Sequence, residues 1–334
     1  MEYLIYGHIW QPWLSRPKAY RVLIMSNDNK TSDIAMKEWL RTAKTISEAL
    51  PYLKEFSGET FVIKFGGHAM VDEELSLNFA RDVVLLKHVG INPIIIHGGG
   101  PQIDRMLDQL GIKINFIDGL RITDAKTIEI AEMVLSGSIN KDIVSSIGLA
   151  GGIALGLSGK DGNLIQCEKL IHKNYYEEPN KNPDLGFVGK PKTINTTVLE
   201  ELIFADIIPV IAPIGLGVDG NTYNINADTC AGAIASAMSA AKLIMMTDVP
   251  GVMGLNSEII NKIDAETAEE LIRNKVIKDG MIPKVETCLD AINNNVAAAH
   301  ILDGRVPHVL LLEIFTQHGT GTMMLDQNLT IDSE

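Results

Sequence analysis

The sequence predicts an α/β protein: a three-layer α/β/α sandwich with a largely parallel central sheet, in two lobes, preceded by a kinked N-terminal helix. Two observations predict this fold. Apolar strand patterns alternate with helix patterns from residue 60 to residue 302, and this order is typical of parallel sheets covered by helices. In addition, two buried strands, 60–65 and 93–97, each end in a glycine turn that leads into a helix.

The first helix is predicted over residues 33–57, with Ser32 or Asp33 as its N-cap. Pro51 is expected to kink this helix. The apolar residues recur every three or four positions and form one stripe, which can pack on its own domain or on another subunit. These apolar positions are Met36, Trp39, Leu40, Ala43, Ile46, Leu50 and Leu53.

The chain after this helix divides, in our interpretation, at a lobe boundary near residue 240. Residues 1–32 ahead of the helix are expected to be a disordered or non-native tail, because they contain a polar run from Ser26 to Asp33. A hairpin is expected around 113–122, and a polar stretch with proline and glycine interrupts the pattern at 173–192. The predicted strands are 60–65, 93–97, 152–157, 207–212, 242–247 and 299–302, and the predicted helices are 72–89, 101–110, 124–135, 138–149, 227–240, 265–274 and 281–297.

Composition excludes several classes of protein. The 334 residues carry a net charge of −13. This charge argues against a nucleic-acid-binding protein, because binding nucleic acid requires a basic face. The three cysteines are scattered outside any C-x-x-C spacing, so a disulfide framework or a zinc site is not expected. No apolar run reaches the roughly 18 residues that a membrane helix needs. We therefore expect a cytoplasmic protein that binds neither nucleic acid nor membranes.

The two glycine turns indicate phosphate binding. Lys64 ends the first strand and is followed by Gly66 and Gly67, and the second strand opens into Gly98, Gly99 and Gly100. Glycines let main-chain N–H groups approach an anion closely, and the helix behind each turn adds the positive end of its dipole. One glycine pair alone more often just closes a βα turn. A lysine beside two such turns favours phosphate.

The common nucleotide motifs are absent. Ile103 stands where G-x-G-x-x-G would need its last glycine. A Walker P-loop is excluded around Gly159-Lys160, because Ala154 replaces the first glycine and Asp161 follows the lysine. The chain is therefore neither an ordinary dinucleotide-binding protein nor a P-loop protein.

Four further residues fit an anionic substrate. Lys284 stands at the start of a helix, and Asp228 can cap another helix or hold lysine side chains in place. Arg121 follows a turn and is suited to bidentate capture of a carboxylate, and Asn224 lies just ahead of Asp228. Each residue alone is weak evidence, because surface lysines and capping aspartates are common.

Together these motifs resemble the amino-acid kinase family, and within it the kinases of N-acetyl-L-glutamate. The resemblance covers residues 58–324 and implies transfer of the ATP γ-phosphoryl group to the γ-carboxylate of N-acetyl-L-glutamate, the second step of arginine biosynthesis. It also implies that residues 58–240 bind the acceptor and dimerise, and that residues 241–334 bind the nucleotide and carry an arginine site, with 242–252 bordering adenine and ribose. The motifs are K-F-G-G (64–67), H-G-G-G-P (97–101), G-L-R-I-T (119–123), N-I-N-A-D (224–228) and D-G-M-I-P-K (279–284).

The resemblance also assigns roles to individual residues. It implies that Lys64 and Lys284 flank the transferred phosphoryl group and that Asp228 orients both lysines. It implies that Arg121 and Asn224 bind the α-carboxylate of the acceptor and neighbouring groups. The main-chain amides implied to bind the same phosphoryl oxygens are those of Gly66, Gly67, Gly99 and Gly100.

The chemistry of a carboxylate acceptor is consistent with these roles. A carboxylate is already ionised at pH 7, so the reaction needs no general base. His97 and His68 lie beside the glycine turns, but this reaction gives them no proton to move. We expect Mg²⁺ to bridge the ATP phosphates without a dedicated protein cage, and we expect no prosthetic group.

The leading helix and the C-terminal segment are similar to the arginine-inhibited branch of these kinases. That resemblance implies a dimer built into a hexameric ring by the leading helices, with L-arginine bound between helix and C-terminal lobe. It places His300, Glu313 and Gly319 at the arginine site, where a carboxylate is the natural partner of a guanidinium. Alternatively, Glu313 is a solvated acid at the end of a strand.

Two other functions stay open at this point. The first is a related kinase that acts on free glutamate, aspartate, carbamate or UMP. The second is an arginine-sensing binding module that has lost catalysis, which would predict substitution of Lys64, Lys284 or Asp228. All three residues are present.

Overall fold

The computed structural model of the chain divides into two compact units, one ending at Ser47 and one starting at Glu48. Residues 1–28, which make up most of the predicted tail, lie outside the described residues. The structure describes residues 29–117, 119–171, 183–256, 258–316 and 319–325.

Helix α1 (Asn29–Glu55) begins four residues ahead of the predicted start. No glycine or proline lies between Asn29 and Ser32, so nothing in the sequence stops the helix from extending. Pro51 lies inside the helix, which continues to Glu55, and the bend there stays a prediction. Six residues of the apolar stripe are exposed, namely Met36, Trp39, Leu40, Ala43, Ile46 and Leu50.

The strands of the second unit form a large sheet, a small closed barrel and a two-stranded hairpin. Most of them are short. In chain order they are β1 (Thr60–Phe65), β2 (Asn92–His97), β3 (Phe116–Ile117), β4 (Leu120–Arg121), β5 (Ala154–Ser158), β6 (Ile165–Lys169), β7 (Val188–Ile194), β8 (Ile208–Ala212), β9 (Ile214–Gly217), β10 (Thr222–Ile225), β11 (Lys242–Thr247), β12 (Lys262–Ile263), β13 (Ala298–Asp303) and β14 (Thr322–Leu325).

The helices that follow α1 lie among these strands along the chain. A π-helical segment, Met133–Ile139, joins two of them into one continuous helical run, where the sequence predicted two separate helices. In chain order the helices are α2 (Glu73–His88), α3 (Gly100–Gln109), α4 (Ala125–Glu132), α5 (Asn140–Leu149), α6 (Thr197–Phe204), α7 (Ala227–Ala237), α8 (Ala265–Arg273), α9 (Met281–Asn293) and α10 (Val309–Ile314).

The large sheet has eight strands in the order β12-β14-β13-β11-β1-β2-β8-β5. Its neighbouring strands run parallel except β13 and β14, which are antiparallel. The largely parallel sheet is therefore confirmed. Strands from before residue 240 lie on one side of β1 and strands from after it on the other. The division into two lobes at that residue stays a prediction.

Both faces of the sheet are buried, each under its own hydrophobic cluster. In β1, Phe61 and Ile63 belong to one cluster, whereas Val62 belongs to the other. In β2, Ile95 and Ile94 divide in the same way. Because side chains alternate along a strand, this division shows that helices cover both faces. The predicted three-layer α/β/α arrangement is confirmed.

The two glycine turns lie side by side at the carboxyl end of the sheet. β1 and β2 are parallel and in register, with Phe65 opposite His97. The N–H of Gly98 donates to the carbonyl of Phe65 at 2.8 Å. Parallel strands place their carboxyl ends at one edge, where ligands bind in α/β proteins. The fold thus brings the lysine of the first turn next to the glycines of the second.

The barrel of β10, β7, β6 and β9 is a feature that the sequence pattern does not predict. Its strands have four to seven residues, and β7 begins inside the polar stretch, 173–192, that interrupts the predicted pattern. Pro191 lies within β7, opposite a break in the register near Cys167, and proline inside a strand argues against a strand. Residues 172–182 of that stretch lie outside the described residues.

No helix in the described ranges combines the length and the apolar character needed to cross a bilayer. Cys167, Cys230 and Cys288 are buried free thiols. The helix predicted at 281–297 ends at Asn293, because Asn295 adopts a left-handed conformation with φ of 73°.

Candidate active site

A single buried carboxylate joins two lysines at the carboxyl end of the sheet. The Nζ of Lys64 lies 3.0 Å from Oδ1 of Asp228, and the Nζ of Lys284 lies 2.5 Å from Oδ2. The three side chains are only 10%, 20% and 13% exposed for Lys64, Lys284 and Asp228. Lys64 and Lys284 therefore share one counter-ion, although 220 positions (284 minus 64) separate them in the chain.

The charges of this cluster stabilise one another. Burial alone would raise the pKa of Asp228, but the ammonium groups of Lys64 and Lys284 outweigh burial and lower the pKa to about 2. The carboxylate is thus ionised at any physiological pH. Each ammonium has three hydrogens, so contact with Asp228 leaves donors for a second anion.

Three elements of secondary structure place the cluster. Lys64 is the fifth residue of β1 and also approaches the carbonyl of Met246 on β11, at 3.4 Å. Asp228 lies in the first turn of α7, whose N-cap Asn226 accepts from the N–H of Asp228 at 2.9 Å. Lys284 lies in the first turns of α9. Gly66 is needed beside them, because a Cβ there would lie 2.7 Å from the Nζ of Lys64.

A cavity of about 180 Å³, which we call the phosphate cavity, is lined by Lys64 and Asp228. The two glycine turns and the N-terminus of α7 line it, and the second turn is itself the N-terminus of α3, so three groups of main-chain N–H donors surround it besides the lysine. The remaining lining residues are Gly66, Gly67, Met70, Gly98, Gly99, Gly100, Pro101, Gln102, Asn226 and Ala227.

A second cavity of about 220 Å³ shares the glycine turn and the start of α7 with the first. Arg121 and Asn224 line it among apolar residues such as Leu120 and Val188. Its polar groups can bind a carboxylate and an amide, and its apolar walls can hold a short aliphatic chain.

Arg121 is held in place from three sides. Its Nη1 is paired with the carboxylate of Asp104 on α3, and its Nη2 donates to the carbonyl of Gly100 at 3.3 Å. Its guanidinium carbon lies 4.8 Å from the ring centre of Phe116, on the neighbouring hairpin strand. The side chain is only 6% exposed. A guanidinium restrained in this way is prepared to bind a carboxylate at little entropic cost.

A third cavity of about 420 Å³ is lined in part by Lys284. It is largely apolar and combines the loop after β11 with the start of α9. The lining residues are Thr247, Val249, Gly251, Val252, Met253, Val276, Ile277, Lys278, Asp279, Gly280, Met281 and Lys284. Its apolar lining suits an apolar ring, and Asp228 links its Lys284 to Lys64 in the cavity of the glycine turns.

The structure thus brings together all the residues predicted for catalysis, phosphate binding and acceptor binding. Sequence reasoning missed three residues of the site: Asp104, Phe116 and Asn226. Asp104 stands one helical turn after Gly100, so helical spacing would have placed it on the cavity side of α3. Phe116 had no such signal, because its contact depends on hairpin pairing with Arg121.

His97 does not face the cavities. It is fully buried at the end of β2, with Nδ1 2.8 Å from the carbonyl of Gly98 and Nε2 3.3 Å from Nδ2 of Asn140. Burial lowers the pKa of His97 to about 4, and the charge of Lys141 acts in the same direction. The imidazole is therefore neutral at pH 7.

The residues predicted for the arginine site form a second buried cluster. Nδ1 of His300 lies 2.7 Å from Oε1 of Glu313, and its Nε2 lies 3.2 Å from Nζ of Lys242. Oε2 of Glu313 accepts from the N–H of Thr320 at 2.6 Å, next to Gly319. Glu313 is 5% exposed and lies in α10, so the alternative of a solvated strand-end acid is wrong.

The electrostatics of this second cluster favour an ionised glutamate. Burial would raise the pKa of Glu313, but the hydrogen bond from His300 and the charge of Lys242 lower it below its usual value. Burial lowers the pKa values of His300 and Lys242. Lys242 also lies 4.9 Å from the ring centre of Phe56, as a cation over an aromatic face.

Comparison with known proteins decides which family these sites belong to. The sequence profile of the Amino acid kinase family matches residues 59–303. The chain belongs to this family. The acetylglutamate kinase of Rhodospirillum rubrum is 58% identical over 288 residues, which cover 86% of this kinase and 93% of the relative. That of Rhodospirillum centenum is 54% identical over 302 residues, covering 90% and 99%.

The fold of the kinase also resembles solved structures. N-acetylglutamate synthase from Neisseria gonorrhoeae, complexed with coenzyme A and N-acetyl-glutamate, has a TM-score of 0.74 and 23% identity. The similarity covers 85% of the kinase and 63% of the synthase. At this identity the likeness concerns the fold. The curated relatives decide the enzyme class: the kinase is a phosphotransferase with a carboxyl group as acceptor.

The buried His97 predicts a pH dependence of stability. The unfolded chain binds a proton on this histidine near pH 6.5, but the folded chain binds it only near pH 4. The free energy of unfolding should therefore fall as the pH drops from 6.5 to 4, by up to about 3 kcal/mol from this residue. Urea unfolding at several pH values measures the slope.

The variant His97→Asn should show a shallower slope than the wild type over this range, because it lacks the histidine. His88→Asn is the matched control, since His88 is exposed on α2. Equal slopes for the wild type and His97→Asn would contradict the burial of a neutral imidazole.

Proposed function

We propose that the kinase transfers the γ-phosphoryl group of ATP to the γ-carboxylate of N-acetyl-L-glutamate, giving N-acetyl-L-glutamyl 5-phosphate, the second step of arginine biosynthesis. One observation carries the proposal. Lys284 lines the largely apolar cavity, Lys64 lines the cavity of the glycine turns, and both lysines bind Asp228. Substrates bound in these two cavities would meet at the lysine pair. The acetylglutamate kinases among the relatives support this choice of acceptor.

The acceptor would lie in the cavity of Arg121 and Asn224. The guanidinium of Arg121 would bind the α-carboxylate, and the Asn224 side chain would bind neighbouring polar groups. The apolar walls, including Leu120 and Val188, would contact the acetyl methyl and the methylene carbons. The γ-carboxylate would then reach the phosphate cavity, because the two cavities share Gly99 and Gly100.

ATP would bind with its adenine in the third cavity, beside Val249 and Met281. Its phosphates would extend past Lys284 to the glycine turns. Mg²⁺ would enter bound to the ATP phosphates. Asp228 does not fit as a ligand for this ion, because each of its oxygens already contacts an ammonium group.

The chemistry needs alignment and charge stabilisation. An oxygen of the acceptor carboxylate attacks the γ-phosphorus, the bond from this phosphorus to the bridging oxygen breaks, and ADP leaves with the electron pair. No proton moves. The ammonium groups of Lys64 and Lys284 and the amides of Gly66, Gly67, Gly99 and Gly100 would hydrogen-bond the oxygens on which charge develops.

We also propose that L-arginine inhibits the kinase by binding at the cluster of Glu313, His300 and Gly319. A buried, ionised carboxylate is a natural partner for a guanidinium. Phe56, which directly follows the leading helix, contacts this cluster through Lys242. Arginine would act by favouring a state of the assembly in which the catalytic cleft is open.

The exposed apolar stripe of α1 would form the contacts of a hexameric ring of dimers. Met36, Trp39, Leu40 and Ile46 are each more than half exposed. A continuous apolar stripe of this kind on a helix usually packs against another helix. A second copy of the same helix would cover it.

The choice of acceptor predicts the behaviour of a conservative variant. Arg121→Lys should raise KM for N-acetyl-L-glutamate about 10- to 100-fold, because a lysine cannot form the bidentate pair with the α-carboxylate. KM for ATP should change less than about twofold. The assay traps the acyl phosphate with hydroxylamine, using Mg-ATP and N-acetyl-L-glutamate, glutamate, aspartate or carbamate as acceptor.

Arg105→Lys is the control for this assay, because Arg105 is an exposed arginine on α3 next to Asp104. Its kinetic constants should match those of the wild type. Product with free glutamate and none with N-acetyl-L-glutamate would overturn the proposed acceptor.

The proposed inhibition by L-arginine predicts that a substitution of Glu313 weakens inhibition without changing the uninhibited rate. The variant Glu313→Gln should need at least about tenfold more L-arginine for half-inhibition, because the guanidinium loses its counter-charge. Its rate without arginine should stay within about twofold of the wild type. Glu270→Gln, an exposed change on α8, is the control. An unchanged wild-type rate at millimolar arginine would defeat the regulatory proposal.

The proposed hexamer predicts that a charged substitution in the apolar stripe of α1 lowers the mass of the assembly. Trp39→Glu should convert the hexamer into dimers in light scattering, because a charge in an apolar helix contact is not paired. Lys37→Glu, which changes an exposed polar position of the same helix, should leave the hexamer intact. A wild-type mass of one dimer would contradict the ring.

A further inference from the structure

We propose that Asn140 is a positioning residue for phosphoryl transfer, because it sets, through His97, the direction of the Gly99 N–H. The inference rests on the proposed role of this N–H as a donor to the transferred phosphoryl group. Asn140 and His97 are both fully buried, and neither lines the acceptor or the phosphate cavity. They act on the reaction only through the glycine turn.

Hydrogen-bond chemistry selects one arrangement for this pair. The carbonyl of Gly98 can only accept, so Nδ1 of His97, 2.8 Å away, carries the hydrogen. The neutral ring then has an acceptor at Nε2, and the amide Nδ2 of Asn140 donates to it at 3.3 Å. A chain of two hydrogen bonds thus runs from Asn140 to the carbonyl of Gly98.

The peptide unit between Gly98 and Gly99 couples the direction of the Gly98 carbonyl to the direction of the Gly99 N–H. The described chain has no cis peptide bond, so this planar unit is trans. In a trans unit the C=O and the following N–H point in opposite directions. Holding the Gly98 carbonyl toward the buried His97 therefore directs the Gly99 N–H away from it, toward the cavities that Gly99 lines.

Asn140 is itself anchored to other strands of the sheet. Its Nδ2 also donates to the carbonyl of Val210 on β8 at 2.9 Å and lies 3.4 Å from that of Leu157 on β5. Its Oδ1 accepts from Nζ of Lys141 at 3.1 Å, and this lysine also donates to the carbonyl of Gly156. The amide is therefore fixed in orientation, with its oxygen and nitrogen distinguished by their partners.

The π-helical segment puts Asn140 within reach of the turn. The backbone N–H of Asn140 bonds to the carbonyl of Leu135, five residues earlier. In a regular α-helix residues five apart point about 140° apart, but a π turn brings them to one side. Leu135 and Ile139 pack against Gly99 from the same segment, because a Cβ on Gly99 would lie 2.6 Å and 2.5 Å from their terminal carbons.

These contacts hold the glycine turn on two sides. Leu135 and Ile139 restrict where Gly99 lies, and Asn140 restricts how the preceding peptide is rotated. Neither constraint contributes charge, and Asn140, unlike Leu135, does not line the acceptor cavity. Their effect should therefore appear in the rate of the chemical step, because the misplacement of one donor by about 1 Å costs up to about 100-fold in rate.

The first test compares Asn140→Leu with the wild type in the hydroxylamine assay. The kcat of this variant should fall about 10- to 100-fold, while KM for ATP and for N-acetyl-L-glutamate stays within about threefold. Ile147→Ala is the control, because Ile147 is a buried residue of the same helix that packs near Gly152, away from the turn. It should lower the melting temperature but leave kcat unchanged.

The second test uses Asn140→Asp, which changes the pH profile. An aspartate can keep a hydrogen bond to His97 only if the pair holds one extra proton, on either partner. The kcat of this variant should therefore fall as the pH rises from 6 to 9, whereas the wild type stays flat. Lys141, the charged side chain that faces this pair from α5, is present in both proteins. A purely structural role of Asn140 would not create this pH dependence.

The outcomes separate this inference from the function on which it rests. A wild type that makes no acyl phosphate overturns the proposed function, and with it the role of Asn140. An active wild type with unchanged kcat in Asn140→Leu overturns only the positioning role. If Asn140→Leu does not fold, the profile of Asn140→Asp decides: a profile parallel to that of the wild type overturns the role, and a fall with rising pH supports it.

Discussion

The site depends on one buried carboxylate that neutralises two ammonium groups. Without Asp228, the charges of Lys64 and Lys284 would repel each other in a poorly solvated cleft, and their long side chains would turn to solvent. With it, both lysines keep one position and still offer free N–H donors. This arrangement explains how a cleft can be strongly cationic in a chain with a net charge of −13. The cationic groups are local and paired.

The rest of the fold can be understood as the support of this contact. The parallel pairing of β1 with β2 and β11 brings the lysine of one turn beside the glycines of another. The starts of α3, α7 and α9 converge on the same edge and contribute N–H groups, Asp228 and Lys284. Behind this edge, the buried network of Asn140 and His97 fixes the peptide that precedes Gly99. Side chains thus position the charges of the site, and the backbone sets the direction of its N–H donors.

The sequence was most informative at positions where a pattern of residue types has a single common physical explanation. Strand alternation predicted the three-layer sheet, and lysine beside two glycine turns predicted a phosphate site. The partnership of Lys64 with Lys284 could not come from spacing, because 220 positions separate them, and it followed only from the family resemblance. The barrel was missed because its strands are short and one contains Pro191. Glu313 was left ambiguous because a six-residue helix has too few positions to show a period.

The central claim is that both lysines and the glycine amides converge on one transferred phosphoryl group. The most direct measurement is a crystal structure with ADP, tetrafluoroaluminate as a mimic of that group, and N-acetyl-L-glutamate. We expect the Nζ atoms of Lys64 and Lys284 to lie within hydrogen-bond distance, about 2.7–3.2 Å, of fluorides on the same aluminium ion. An aluminium centre that contacts only one of the two lysines, or that lies outside the glycine turns, would contradict the account.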